Sequence, residues 1–303
     1  MTSTFSVRVP ASSANLGPAF DSLAMALDLW NETTFLLEGT KLQIEISGEG
    51  KESLPKNQDN LIFASLQNLL DDLGAKVPRG IKINCQNRIP LSSGLGSSAA
   101  AVLTGLLAGN QIAGGILSIK ELLRLAGKIE GHADNSAAAL LGGLILVTQD
   151  EGTFNTQQLP SQILSCVLLL PNVEISTQQS RKVLDDKVPL ADAVFNIGNA
   201  MALIEGFKKG DIALINQHMR DKLHQPRRLA LIAGAEEAIS AARNAGAAVA
   251  LSGAGPGLIA FVPEGREKAI TEAMRAPFAA LNVQTRQYLL KTNPDGANVI
   301  DQD

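Results

Sequence analysis

The sequence predicts an α+β protein of two domains, and three observations carry that reading. In the second half of the chain the apolar patterns run strand, helices, strand, helix, strand, an order that suits an antiparallel sheet covered on one side. The 303 residues suffice for two ordinary domains or one large one, and 45% of them are hydrophobic, so a sizeable core is available. Around residues 150–162 the chain turns polar and loses periodicity, which divides it into residues 1–155 and 156–303.

Each element has its own signal. "FSVRV" (5–9) alternates as a half-buried strand does, and "ETTFLLEG" and "KLQIEISGEG" are two more strands parted by a glycine turn. "DNLIFASLQNLLDDLG" has helical apolar spacing, with Asp59 or Asn60 as cap and Gly74 as stop. "GIKINCQN" is a fourth strand. After it comes the stretch "PLSSGLGSSAAAVL" (90–103), whose helix runs from about Ser97 to Asn110. "SIKELLRLAGKIEG" is a helix with Ser118 as cap and Glu121 at the capping-box position. "NSAAALLGGLILVTQ" starts helical and ends as a strand after Gly142-Gly143. The second half offers "SCVLLLP" as a strand, then helices in "STQQSRKVLDD", "PLADAVFNIGNAMALIEGFKKG" and "DIALINQHMRDKL". "AGAEEAISAARNAG" and "GREKAITEAMRAP" are helices around the strand-turn segment "AVALSGAGPGLIAFVP".

Charge and cysteine usage exclude several classes. Net charge is −4 and charged residues make up 18%, so nothing suggests a basic surface for nucleic acid or membrane. No apolar run approaches the ~18 residues that span a bilayer, and the N-terminus lacks the layout of a secretory signal. Cys85 and Cys166 lie in separate apolar strands and read as buried reduced thiols of a soluble, cytoplasmic protein.

The serine-glycine stretch carries the chemistry. Glycines let the backbone approach a ligand, and a helix N-terminus presents unpaired N–H groups with partial positive charge, so the pair forms a phosphate site. It is not a P-loop, because the lysine of that motif is missing. "GLGSSA" satisfies a dinucleotide fingerprint, but no acidic strand end follows ~20 residues on. A plain serine cap is the bland alternative.

These residues resemble the phosphate-loop motif of the GHMP kinase family. "VPASSANLGPAFDSLAMALDLWNE" (9–32) resembles its N-terminal motif and "LSGAGPGLIAF" (251–261) its C-terminal glycine motif, in the right order over nearly the whole chain. Within the family, "SSANLGPAFDSL", "EGHADN", "STQQSRKVL", "VPLADAVFN" and "LHQPRR" resemble the homoserine kinases. The resemblance implies a ribosomal-protein-S5-domain-2-like nucleotide domain followed by a ferredoxin-like α+β domain. It implies phosphorylation of the side-chain hydroxyl of L-homoserine by ATP with Mg²⁺, on the route to threonine, with a homodimer as a common assembly among relatives. Another small-molecule kinase of mevalonate or sugar type, or a non-catalytic nucleotide-binding relative, stands as the alternative.

The resemblance also distributes roles. Pro90, Leu91, Ser92, Ser93, Gly94, Leu95, Gly96, Ser97, Ser98, Ala99 and Ala100 would form the ATP loop, with Asn60 near the base. Ser98 and Glu130 would hold Mg²⁺, which takes hard oxygen ligands and keeps waters and phosphate oxygens for the rest of its shell. Asp21, His132, Asp134 and Asn135 would stand at the reacting hydroxyl. Asn15, Asp21, Thr177, Arg181, Arg228 and Gly253 would bind the acceptor, the arginines gripping its carboxylate and Asp21 answering its ammonium. Arg227 competes with Arg228 for that place. Read without the resemblance, the asparagines and aspartates are Asx turns and caps, the lone arginines and glutamate solvated charges, and the glycines a tight hairpin. Ala19 and Ala24 stand where homoserine kinases usually carry glycine. Phe20, Trp30 and Phe195 read as core.

Overall fold

The computed structural model describes residues 3–150 and 153–302. Its first sheet has seven strands and is built around a long antiparallel pair, β1 (Ser3–Ala14) and β2 (Leu23–Leu37). The ladder between them shifts register at Pro10/Ala11, where proline has no N–H to donate. The far half of β2 pairs with β4 (Ile81–Asn87), and its near half, Leu23 to Met25, pairs with β5 (Leu144–Asp150). β3 (Leu42–Gly48) lies parallel to β4, and the crossover that a parallel pair requires is α1 (Leu61–Asp72). Asn60 caps α1 by accepting from the Ile62 N–H, one of the two caps foreseen.

Three helices then bury the inner face of this sheet: α2 (Ser97–Ile112), α3 (Ile119–Glu130) and α4 (Asp134–Leu141). Ser118 and Glu121 form the expected capping box on α3. β6 (Thr153–Leu159) pairs with β5 along its whole length. The boundary expected between 155 and 156 therefore falls inside a strand, and the chain leaves the first sheet only after Leu159. β6 escaped the sequence reading because both its faces are largely exposed, leaving no apolar alternation to detect.

The second sheet takes in β7 (Ser165–Pro171), then β8 (Ala248–Leu251), β9 (Leu258–Phe261) and β10 (Thr285–Lys291), in the order β10-β7-β9-β8, all antiparallel. Between β7 and β8 run α5 (Thr177–Lys182), α6 (Leu190–Lys209), α7 (Ile212–His218), α8 (Gln225–Leu229) and α9 (Ala235–Asn244); α10 (Glu267–Ala280) follows β9. The sheet is covered on both sides, not one. Val167, Leu169, Val249 and Ala260 pack with α9 and α10, while Cys166, Leu168, Ala250 and Phe261 join the large core with Leu203 and Phe207 of α6. That is why "SCVLLLP" is apolar without interruption. The last strand, β11 (Asn298–Gln302), returns to the first sheet and pairs with β1, so the two halves are sewn together.

Cys85 and Cys166 are free and buried, as expected. Phe20, Trp30 and Phe195 are half-buried instead of core, and each carries a cation: Arg181 and Arg228 over Phe20, Arg8 over Trp30, Lys222 over Phe195. Ala19 and Ala24 are buried in the main core at negative φ, so their methyls strain nothing.

Candidate active site

The serine-glycine loop leaves β4 under restraint. The backbone N–H groups of Arg88 and Ile89 both donate to Asn31 Oδ1, at 2.8 and 3.0 Å, and Ser93 Oγ donates to the Pro90 carbonyl at 2.8 Å. Gly94 and Gly96 take the left-handed region (φ +79° and +67°), and α2 begins with no side chain capping it and no acid in its first turn. Neither Ser97 nor Ser98 serves as the cap, so the first N–H groups of α2 stay available to an anion. Leu95, Ala99 and Ala100 are wholly buried and anchor the loop from below. Ser92, Ser93, Gly94, Gly96, Ser97 and Ser98 line a cavity of about 310 Å³.

The glycine segment between β8 and β9 is a clasp on that loop. Ser252 Oγ donates to the Gly94 carbonyl at 2.8 Å, and the Gly257 N–H donates to the Ser93 carbonyl at 3.2 Å. A Cβ on Gly94 would sit 2.0 Å from the Ser252 carbonyl oxygen, and one on Gly257 would sit 2.4 Å from that of Ser93. Contact this close between two backbones needs glycine on both sides. The Gly253 N–H donates to the Ala14 carbonyl at 3.1 Å, so the clasp also reaches the N-terminal segment.

That segment brings Asn15 and Asp21 to the same cavity. Asn15 ties the place together: Nδ2 donates to the Gly253 carbonyl (2.8 Å) and Oδ1 accepts from the Asp21 N–H (2.9 Å). Both residues adopt positive φ. The Asp21 carboxylate is gripped bidentately by Arg181, at 2.9 and 3.1 Å. The aspartate and arginine expected to answer opposite ends of a substrate here answer each other.

Of the two neighbouring arginines, Arg228 and not Arg227 reaches this cavity. Arg227 is exposed and pairs with Asp185 at 2.7 Å, whereas Arg228 is 2% exposed and lines the cavity. Burial, with Arg181 adding its like charge, pushes the Arg228 guanidinium down to about 10. Thr177 and Gly253 also line the cavity.

At the other wall stand His132, Asp134 and Asn135. Asp134 Oδ1 lies 3.0 Å from His132 Nδ1 and accepts the Asn135 N–H at 2.7 Å, so it sets the start of α4 and the imidazole together. The hydrogen bond to Asp134 raises the His132 pKa above its ordinary value against the opposing effect of burial. Asn135 Oδ1 accepts from Ser12 Oγ at 3.0 Å. Ser98 Oγ donates to Glu130 Oε1 at 2.5 Å, so these two oxygens from α2 and α3 meet at the cavity wall. No cluster of three or more His, Cys, Asp or Glu able to hold a metal occurs among the described residues. One hydroxyl and one carboxylate fit Mg²⁺, whose remaining shell is water and phosphate.

A second, mainly apolar cavity of about 320 Å³ shares Ser92, Ser97 and Ser98 with the first and continues past Leu91, Ile62 and Thr104. Asn60 belongs to its wall, but its side chain is engaged with Ile62 N–H and the Pro55 carbonyl. Sequence reasoning missed Ser12 and His224 and read Phe20 as core; all three touch the site residues described above. The aromatic beside Asp21 and the histidine preceding "QPRR" were visible, but only the fold puts them together.

Comparison with known proteins accords with this geometry. The model of the GHMP kinases N terminal domain matches residues 60–143, and that of the GHMP kinases C terminal region matches residues 203–280. A homoserine kinase of Moorella thermoacetica is 43% identical over 297 residues, covering 97% of this chain and 99% of its own. One of Carboxydothermus hydrogenoformans is 39% identical over 296 residues, covering 97% and 96%. Among solved structures, the homoserine kinase of Cytophaga hutchinsonii matches with a TM-score of 0.85 at 32% identity, covering 99% of this chain and 98% of that one. Shared motifs, shared architecture and near full-length identity lead to one conclusion: the chain belongs to the GHMP kinase family, among its homoserine kinases.

Proposed function

We propose that this protein transfers the γ-phosphoryl group of ATP to the side-chain hydroxyl of L-homoserine, giving O-phospho-L-homoserine for threonine synthesis. The observation that carries the reading is one cavity holding both a bare helix N-terminus and the trio Asp21, Arg181 and Arg228. An anion site alone suits any nucleotide kinase. Two guanidinium groups and a carboxylate beside it suit an amino-acid zwitterion, which mevalonate and sugars are not.

In this reading the triphosphate lies against the amides from Ser92 to Ser98, and the base occupies the apolar cavity beyond Ser97. Ser98 and Glu130 would hold Mg²⁺, which when bound neutralises phosphate charge. Homoserine exchanges the internal Asp21–Arg181 pair for two pairs of its own: its ammonium goes to Asp21 and its carboxylate to Arg181 and Arg228. Thr177 and the Gly253 backbone bound its far side. The hydroxyl then faces His132, Asp134 and Asn135. Asp134 already accepts two hydrogen bonds, and phosphoryl transfer needs positioning more than a strong base. The proton can leave to a phosphate oxygen or to water, and Asn135 orients the hydroxyl.

Among the described residues no helix is long and apolar enough to cross a membrane. The free, buried thiols support the expected cytoplasmic setting. An ADP-release assay across homoserine, mevalonate and galactose tests the function. Turnover with homoserine alone is expected; a preference for mevalonate or galactose, or ATP binding without turnover, defeats it.

A further inference from the structure

His224 has no part in the mechanism above, yet it is buried, ionisable and in contact with the arginine assigned to the acceptor. We infer that the His224 ring, as its Nε2–H tautomer, is a positioning residue that aims the Arg228 guanidinium and so sets affinity for the acceptor's carboxylate. The inference rests on the homoserine reading of that arginine.

The tautomer follows from the partners. His224 Nε2 lies 2.8 Å from the Gly17 carbonyl, which can only accept, so Nε2 carries the hydrogen. Nδ1 lies 3.3 Å from Arg228 Nη1, which can only donate, so Nδ1 keeps its lone pair. The ring is therefore neutral, and its 1% exposure gives it no other partner in solvent. His224 and Arg228 are four residues apart at the start of α8 and share a helix face.

The arginine is held at two of its three nitrogens. Nε donates to the Ser180 carbonyl at 3.1 Å and Nη1 donates to the Gly253 carbonyl at 3.2 Å as well as to His224. That leaves Nη2 for a ligand. Phe20 forms the common floor, with its centroid 5.2 Å from the His224 ring, 5.1 Å from the Arg228 guanidinium and 5.6 Å from that of Arg181. The histidine thus connects the turn at Gly17, which precedes Asp21, with the arginine on α8.

Protonation reverses the contact, because Nδ1–H then faces Nη1–H and two cations meet. The charged groups facing His224 are Arg228 on α8, Asp221 in the preceding loop with Oδ2 3.7 Å from Nε2, and Asp21 with Arg181 across Phe20. Asp221 already accepts the N–H groups of Leu223, His224 and Gln225. Burial is the largest influence and lowers the His224 pKa below its ordinary value, so the neutral ring persists at neutral pH and is lost only on acidification.

Two variants test this. Glutamine reproduces a donor at the Nε2 position and asparagine an acceptor at Nδ1. His224→Gln should raise the KM for homoserine about tenfold, the scale of a hydrogen bond to a charged group, with the KM for ATP within about twofold. His224→Asn should raise it less, by about threefold. The part of any acid-side rise in wild-type homoserine KM that comes from protonation of His224 should be absent in both. Nitrogen-15 NMR of the native protein should report the Nε2–H tautomer. An Nδ1–H tautomer, an asparagine variant worse than the glutamine one, or equal effects on both substrates overturns the inference. The same holds if His224→Gln leaves homoserine KM unchanged while Arg228→Ala raises it. If Arg228→Ala leaves homoserine KM unchanged, the homoserine reading itself fails and takes this inference with it.

Discussion

Replacing Gly94 with alanine probes the clasp that shapes the phosphate loop, and the cost can be worked in two parts. The first is conformational: at φ +79° an L-residue is in the left-handed region, at about 1–2 kcal/mol. The second is contact: the new Cβ lies 2.0 Å from the Ser252 carbonyl oxygen and 2.9 Å from its carbon. Backbone cannot rotate away, so the two loops must part and the Ser252–Gly94 hydrogen bond is lost, at about 0.5–1.5 kcal/mol. The total is about 1.5–3.5 kcal/mol before any displacement of neighbours. Gly131 supplies the control. Its φ is +80° and nothing lies within 4 Å of its Cβ position, so Gly131→Ala carries the conformational part alone, about 1–2 kcal/mol. Urea denaturation of both variants measures the difference, and ATP titration should show weaker binding for Gly94→Ala only. Equal midpoints for the two variants, or undiminished ATP affinity in Gly94→Ala, would refute the clasp.

Other outcomes follow from the same contacts. Arg228→Ala removes donors from the Ser180 and Gly253 carbonyls and should destabilise by about 1–3 kcal/mol, while raising the KM for homoserine far more than that for ATP. Equal changes in both KM values would contradict the carboxylate assignment. Asp21→Ala breaks an ion pair whose side chains are about a third exposed, so stability should fall by under about 1 kcal/mol. The same change should lower kcat/KM for homoserine by about tenfold to a hundredfold, the range of a charged hydrogen bond, and a wild-type value removes Asp21 from the mechanism. Glu130→Gln should raise the Mg²⁺ concentration at half-maximal rate with the fold intact by circular dichroism, and an unchanged Mg²⁺ dependence would speak against Glu130. Burial pushes the thiols of Cys85 and Cys166 up to about 11 and about 12, so iodoacetamide at pH 8 should label them only in denaturant. Rapid labelling of the native protein would show that one of them is accessible.

How much of this was legible beforehand depended on whether a feature is local. The caps of α1 and α3, the bare start of α2 and the helix-to-strand switch at Gly142-Gly143 are set by neighbours in the chain, and the sequence announces them. β6 and β11 gave no such sign. β6 is exposed on both faces and exists through its ladder with β5, and β11 is held by pairing with β1 across nearly the whole sequence. Site residues divide the same way. Ser97, Ser98 and the glycines signal an anion site locally, whereas the Ser98–Glu130 contact spans 32 residues and the Asp21–Arg181 pair spans 160.

The charges of the acceptor site make the sharpest case. From residue types alone, an aspartate and two arginines look like three groups waiting for a zwitterion. Folding gives two of them a shorter route to neutrality, because Arg181 reaches Asp21 bidentately while Arg228 stays buried on backbone carbonyls. A ligand gains only the difference between its own ion pairs and the one it replaces. Partial exposure keeps the internal pair weak, so the exchange costs little. A neutral hydroxy-compound would break the same pair and return nothing to either charge. Discrimination in favour of a zwitterion then comes mainly from the contacts that form, and the weak pair that must open adds a small part.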